Sequence, residues 1–493
     1  MPNNQTVPET GQAAFQIHEA GVIVTVRECI ARVEGLPSVI NGQIVEFEQG
    51  GRGIVMGFNE KDVQVLVISS KGPLHVGERV LSTGEFLRLP VGDGFLGRIV
   101  NALCEPVDQD GPIQSSDMYP VFAEAPGVMD RAPVRETLET GTLVLDAVIP
   151  IAKGQRQLLI GDRLTGKSTV ALDAIINQKG HDVICIYCCI GKPNSSLLKV
   201  LNLFNEKNVM PYTIVVSAVA SCSMGEQYIA PYTACTLGEY FMKNGKDVLL
   251  IHDDLTKHAW VYRQISLLME RAPGREAYPG DIFYTHSQLM ERAGYFKPEL
   301  GGGSMTFLPI VEILQGDVTG YVSSNLISMT DGQIYFSTAL FNKGVRPAID
   351  FGLSVSRIGN KAQWPAMKAL SGQMRLEYIQ YQELLQMTQL RTTGLSREAE
   401  DRMKRGQAIT QLLVQDKNKP LSMEAEVMYL FALSMGVLDT LAPADIKKFK
   451  DNFVGLVSRE FPDLFTEIRT SMILNDTSIE MLYEALNHYF AQG

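Results

Sequence analysis

Apolar and polar residues alternate between glycines over residues 20–91. The runs Gly21-Val-Ile-Val-Thr-Val26, Gly42-Gln-Ile-Val-Glu-Phe47, Gly53-Ile-Val-Met-Gly57 and Val63-Gln-Val-Leu-Val-Ile68 are short strands at close spacing. They predict a small all-β barrel or sandwich. Over residues 92–363, and most clearly from Ile99, strand patterns alternate with helical ones, the signature of a largely parallel sheet covered by helices. From 364 to 493 apolar residues recur at three-and-four spacing, over 366–387, 397–415 and 422–436, and predict a helical bundle. Residues 1–19 begin with a stretch carrying Pro2, Pro8 and Gly11 and predict a flexible segment.

One stretch of the middle region carries recognisable chemistry. Residues 161–169 read Gly-Asp-Arg-Leu-Thr-Gly-Lys-Ser-Thr, a complete G-x-x-x-x-G-K-[ST] phosphate loop. An apolar strand, Gln157-Leu-Leu-Ile160, precedes it, and a helical pattern over 169–176 follows. Strand, glycine loop and helix is the context in which backbone N–H groups cradle phosphates at a helix N-terminus. Gly161 and Gly166 are expected to let the backbone curl. Lys167 is expected on the β/γ-phosphates and Ser168 on magnesium. A second apolar strand, Asp247-Val-Leu-Leu-Ile-His252, ends in Asp253-Asp254, and Asp253 is the candidate to hold magnesium through water. The expected ligand is a nucleoside triphosphate.

Bulk properties narrow the field. A chain of 493 residues exceeds one core, so about three domains are expected. No apolar run approaches the ~18 residues of a membrane helix. A formal charge of −11 argues against a general nucleic-acid binder. The first Lys or Arg is Arg27, and residues 1–16 lack the charge and apolar stretch of a leader, so a chain that is cytosolic as made, or already processed, is expected. Cys185, Cys188 and Cys189 sit in an apolar strand pattern with alternate facing. No second Cys or His pair completes a zinc site, and reduced core cysteines are expected.

With these pieces placed, the chain resembles the alpha subunit of the F-type rotary ATP synthase over nearly its whole length. The resemblance rests on Gly154-Gln-Arg-Gln-Leu-Leu-Ile-Gly-Asp-Arg163, Pro273-Gly-Arg-Glu-Ala-Tyr-Pro-Gly-Asp281, Asp331-Gly-Gln-Ile334 and Gly352-Leu-Ser-Val-Ser-Arg-Ile-Gly359. It implies an N-terminal β-barrel, a central RecA-like α/β nucleotide-binding domain and a C-terminal α-helical bundle. It implies ATP or ADP with Mg2+ as ligands. It also implies an alternating alpha3-beta3 ring around a gamma central stalk, a peripheral-stalk delta-type subunit, and a membrane sector reached through other subunits. The complex would sit peripherally on the cytoplasmic face of a bacterial inner membrane or the equivalent organelle membrane.

Residue by residue, the resemblance assigns the bound nucleotide to Gly161, Asp162, Arg163, Leu164, Thr165, Gly166, Lys167, Ser168 and Thr169. Phe341, Arg346, Pro347 and Gln415 match the adenine side. Arg357, in Ser354-Val-Ser-Arg357, resembles an arginine finger that serves the adjacent beta site, with Ser356 beside it. Leu164, Lys192 and Lys417 depart from the family pattern. Lys192 matters most: hydrolysis needs a group that orients water, and a lysine cannot be that carboxylate. The chain's own site is therefore expected to be non-catalytic. The alternative, a catalytic hexameric RecA-like ATPase such as a secretion-system motor, needs that carboxylate in the same chain. Tyr278-Pro-Gly-Asp281 is expected to form a type II turn facing the central shaft, with Gly280 at φ > 0. Residues 391–395 replace an acidic loop that in the family approaches gamma.

Overall fold

The computed structural model describes residues 19–388 and 396–492. The expected flexible segment therefore lies almost wholly outside the described residues, as does the 391–395 loop. The described residues divide into two compact units, one of residues 19–87 with 223–225 and 268–270, the other of the remainder.

The first unit is a closed antiparallel barrel. Its strands are β1 (Ala20–Arg27), β2 (Ile30–Glu34), β3 (Gln43–Phe47), β4 (Gly51–Phe58), β5 (Val63–Ser70) and β6 (Arg79–Phe86), in the order β1-β2-β5-β4-β3-β6. Closure comes from β6 pairing with both β1 and β3. The interior is filled by small branched residues, among them Ile23, Val33, Val45, Val55, Val65 and Val80, which suit the inside of a narrow barrel. Residues 88–91, joined to the barrel by their alternation, form β7 (Arg88–Val91) in the second unit. There β7 pairs with β9 (Asp117–Pro120).

The second unit is built on a nine-stranded sheet. Its members are β8 (Ile99–Val100), β10 (Leu158–Asp162), β11 (Val183–Ile190), β12 (Thr213–Ala218), β13 (Asp247–Asp253), β14 (Gly294–Tyr295), β15 (Ser304–Ile313), β16 (Gly332–Phe336) and β17 (Val355–Ser356). The order is β17-β16-β10-β15-β13-β11-β12-β8, with β14 on β15. All pairings from β16 to β8 along this path are parallel. The central strands are buried along their length, as helices on a parallel sheet require. The covering helices are α1 (Leu143–Val148), α2 (Lys167–Asn177), α3 (Asn194–Lys207), α4 (Met224–Lys243), α5 (Leu255–Leu268), α6 (Ile282–Met290), α7 (Tyr321–Met329) and α8 (Thr338–Asn342). Cys185 and Cys189 join the large apolar cluster on one face of β11, and Cys188, also buried, is not in that cluster. The cysteines are free.

The predicted helix over 366–387 is two helices, α9 (Pro365–Ser371) and α10 (Met374–Thr388), interrupted at Gly372-Gln373. Then follow α11 (Arg397–Leu413), α12 (Met423–Ser434), α13 (Pro443–Glu460), α14 (Pro462–Ser471) and α15 (Asp476–Gln492). Ser396 and Ser422 cap α11 and α12 through their hydroxyls, and prolines open α9, α13 and α14. One apolar cluster runs from Leu159 and Ile175 under the sheet to Trp364, Phe449 and Leu482, so the bundle and the sheet share a core. No helix of the described residues is long and apolar enough to cross a membrane.

The 278–281 turn differs from expectation. Gly280 has no positive φ. The bond runs from Ile282 N–H to Pro279 C=O at 3.2 Å, and Asp281 has φ −89°, ψ 3°, the values of a type I turn entering α6. The left-handed residues are instead Glu276 and Ala277, two and one residues before Tyr278.

Candidate functional site

β10 ends at Asp162 and α2 starts at Lys167, so only four residues make the phosphate loop. The two glycines serve different ends. Gly166 has φ 100° and caps α2 in the left-handed region, where glycine carries no Cβ penalty. Gly161 is ordinary strand backbone, but a Cβ there would lie 2.5 Å from the Phe336 carbonyl oxygen on β16. It is a packing glycine, which corrects the expectation that it curls the chain. Leu164 takes a left-handed φ of 65° at the crown of the loop and is 85% exposed. Arg163 is exposed beside it, Thr165 is buried, and Thr169 is half-buried on the first turn of α2. Asp162 ties the loop down: its carboxylate accepts from Gly316 N–H (2.9 Å) and the Thr338 hydroxyl (2.6 Å). Thr165 donates to the Asp162 carbonyl at 2.7 Å.

Lys167 is 4% exposed and donates to the carbonyls of Gly161 (2.9 Å) and Asp162 (2.5 Å). Burial lowers its pKa to about 8, against the opposing pull of Glu312, Asp254 and Asp253. Its ammonium is thus held under the loop by neutral carbonyls, ready to exchange them for phosphate oxygens.

Ser168 and Asp253, the two groups assigned to magnesium, both meet another side chain. Lys192 Nζ lies 3.1 Å from Ser168 Oγ and forms an ion pair with the Asp253 carboxylate. Tyr187 donates to the second Asp253 oxygen at 2.8 Å. The cause is topological. β11 and β13 are parallel neighbours with Cys189 opposite Asp253, so a lysine three residues past Cys189 arrives over the end of β13. Burial works against the Lys192 charge, but Asp253 overcomes it, and the Lys192 pKa stands above the usual lysine value. An ammonium therefore stands between the donors a magnesium ion needs, and the residues present do not fit the metal while Lys192 holds this place.

Two further carboxylates at this end of the sheet, Asp254 and Glu312, share a lysine. Lys257, one turn along α5, pairs with Asp254 and lies 3.6 Å from Glu312. Burial first, then the neighbouring Asp253 charge, raises the Asp254 pKa. Asp253, Asp254 and Glu312 thus each face an ammonium, and none stands free as a general base. Lys257, Glu312, Tyr187 and Thr338 escape a reading of the sequence. The i, i+3 spacing of Asp254, just before α5, and Lys257, in its first turn, is the one local signal for any of them.

On the far side of the loop, Arg346 lies over the Phe341 ring, 4.8 Å from its centroid. The Arg346 carbonyl accepts from Gln415 N–H at 2.8 Å. The Arg346–Pro347 bond is cis. Asn418 N–H reaches Asp173 on α2 at 2.8 Å. The structure therefore brings Phe341, Arg346 and Gln415 together beside α2. The Gln415 amide is engaged within the chain, donating to the Gly141 and Lys419 carbonyls and accepting from Leu143 N–H. Lys417 is exposed.

Arg357 sits at the other end of the sheet. Ser356 pairs with Gly332 on β16, while Phe336, four residues further along β16, pairs with Gly161. Four residues of strand are about 13 Å, so the arginine lies well away from its own phosphate loop. The arginine is exposed; its N–H donates to the Asp331 carbonyl (2.9 Å) and its guanidinium to the Thr330 carbonyl (3.3 Å). The nearby Asp331 carboxylate is already gripped by Arg156, with two contacts of 3.0 and 3.1 Å. Arg357 has no ion pair among the described residues. Ser356 has no spare hydroxyl: it donates to the Pro150 carbonyl and accepts from Gln155 and Gly359 N–H. Its place is to hold the turn that carries Arg357.

Comparisons with known proteins agree with this layout. Residues 17–84 match the ATP synthase alpha/beta family beta-barrel domain, 141–356 the nucleotide-binding domain of that family, and 363–489 its C-terminal domain. The chain is 43% identical over 473 residues to the ATP synthase subunit alpha of Wolinella succinogenes, an alignment covering 96% of this chain and 94% of that one. The chain belongs to the F-type ATP synthase alpha-subunit family. As a member of that family it has the expected barrel, nucleotide-binding domain and helical domain in the expected order.

Proposed function

We propose that this alpha-family chain is the non-catalytic, nucleotide-binding subunit of an F-type synthase head that makes ATP from ADP and phosphate using an ion gradient. The carrying observation is the lysine network: Asp253, Asp254 and Glu312 each face an ammonium, Lys192 engages Ser168 and Asp253, and the loop's own Asp162 is held by Gly316 N–H and the Thr338 hydroxyl. Without a free carboxylate, water at the γ-phosphate has no group to orient it. The phosphate loop, Lys167 and the α2 N-terminus still offer the polyphosphate of ATP or ADP a binding surface. The same lack counts against a secretion-motor type of catalytic hexamer.

The chemical contribution is Arg357, given in trans to an adjacent beta subunit in an alternating alpha3-beta3 ring. Its exposure, its lack of a carboxylate partner among the described residues and its distance from its own loop support this role. A guanidinium spans two phosphoryl oxygens and strengthens its grip as charge develops on the transferring group. The partners that follow are the gamma central stalk, a delta-type peripheral-stalk subunit and a membrane sector, with the complex peripheral on the cytoplasmic face of a bacterial inner membrane or its organelle equivalent. The test is the isolated full chain with Mg-ATP. It should bind about one nucleotide per chain with no steady phosphate release. Steady release that Lys167→Ala abolishes would overturn the assignment.

A further inference from the structure

We propose that the Lys192 ammonium stands in for the divalent cation of this phosphate loop, so that the site takes its nucleotide as a metal-free polyphosphate. The inference rests on the nucleotide-binding reading above and concerns the form in which the ligand enters. In a phosphate-loop site the hydroxyl after the invariant lysine and the aspartate at a neighbouring strand end are the two protein groups that serve magnesium. Here one ammonium bridges both, 3.1 Å from Ser168 Oγ and ion-paired with Asp253.

The bridge is built in. Lys192 follows Gly191, whose φ of 62° turns the chain off β11. The backbone is pinned on both sides of the turn by Gly191 N–H to Ala218 C=O (2.7 Å) and Ala220 N–H to Lys192 C=O (2.8 Å). The Lys192 side chain is 17% exposed and that of Asp253 is 1% exposed. Tyr187 fixes the other Asp253 oxygen, so the carboxylate has a partner on each side.

An ammonium has three donors. Ser168 and Asp253 take two, and one remains for a phosphate oxygen. Magnesium demands near-octahedral oxygens at ~2.0–2.1 Å, and a lysine within hydrogen-bond distance of two of those donors both blocks and repels it. Metal-free ATP, with its full negative charge, matches the paired cations Lys167 and Lys192 better than Mg-ATP does.

The experiment is nucleotide binding by the full-length chain, with ATP in EDTA and with ATP in excess Mg2+. The wild-type chain should bind at least as tightly in EDTA as in Mg2+. Lys192→Gln frees Ser168 and Asp253 for metal, so that variant should lose roughly tenfold or more in EDTA and recover with Mg2+. A wild-type chain that weakens tenfold or more in EDTA would overturn the proposal. That comparison needs no variant, so it decides even if Lys192→Gln does not fold. Binding under neither condition would instead sink the nucleotide reading, and this inference with it.

Discussion

The two ends of one largely parallel sheet are equipped in opposite ways. At the carboxyl ends of β10, β11 and β13, the charges beneath the phosphate loop are partnered, Lys192 with Asp253, Lys257 with Asp254 and Glu312, and Lys167 with two carbonyls, while Arg163 is exposed at the crown of the loop. At the other end, Arg357 is exposed and unpaired among the described residues, although Asp331 is close and held by Arg156. A partnered site is suited to hold a charged ligand without acting on it. An unpartnered arginine on a rigid strand turn is suited to act on a ligand that another chain holds. Charge alone therefore does not mark the reactive end of the molecule; what matters is which charges are already satisfied.

The comparison breaks most sharply at Arg357. In reconstituted alpha–beta rings, Arg357→Ala should lower steady-state turnover by roughly 10³–10⁵, the range of an arginine finger in other nucleotide hydrolases. Arg357→Lys should not restore it, since one point charge replaces a two-oxygen fork. Turnover near the wild-type rate would remove the trans role. Next in size is Lys167→Ala, which should weaken nucleotide binding by the isolated chain on the order of 100-fold by losing charge-assisted bonds to phosphate. Ring turnover should fall far less. Equilibrium binding and turnover on the same preparations check both.

A smaller effect sharpens the partnered end. Burial depresses Lys167 to about 8, and phosphates bind its charged form and raise its pKa. Affinity should therefore be flat below pH 8 and fall as pH rises above it, by at most about tenfold per pH unit. Folding has the opposite sign for this group. A lysine depressed below its unfolded value contributes instability while charged, relieved as pH climbs through about 8 toward 10.5. Affinity that rises above pH 8 would contradict the placement of Lys167. The smallest effect is Gly280→Ala. With no positive φ and nothing within 4 Å of an added Cβ, stability should change by less than about 0.5 kcal/mol. A loss well above that in a denaturation midpoint would reinstate a type II turn.

What could be read along the chain was local. The strand, loop and helix at 157–176 and the four barrel strands appear at their expected places because each rests on short-period patterning. The two further barrel strands escaped: Ile30–Glu34 is short, and Arg79–Phe86 is interrupted by Gly84. What could not be read was set by neighbours distant in sequence. Gly161 is required by Phe336, which lies 175 residues on, and Lys192 meets Asp253 only because β11 pairs with β13. The positions of Gly372 and Gly280 show the limit of residue-type rules, since one interrupts a predicted helix and the other does not use its conformational freedom. Arg357 was legible as a motif, but its separation from its own loop follows from strand register alone.

If the two ends serve different chains, two quantities measured on two variants should separate them. Rings carrying Lys167→Ala and rings carrying Arg357→Ala would each be assayed for nucleotide retained on this chain and for steady-state turnover. The expected result is crossed: Lys167→Ala loses the retained nucleotide and keeps most of the turnover, and Arg357→Ala does the reverse. If either variant lost both, with rings assembled, the two ends would act on one site and the account would be contradicted.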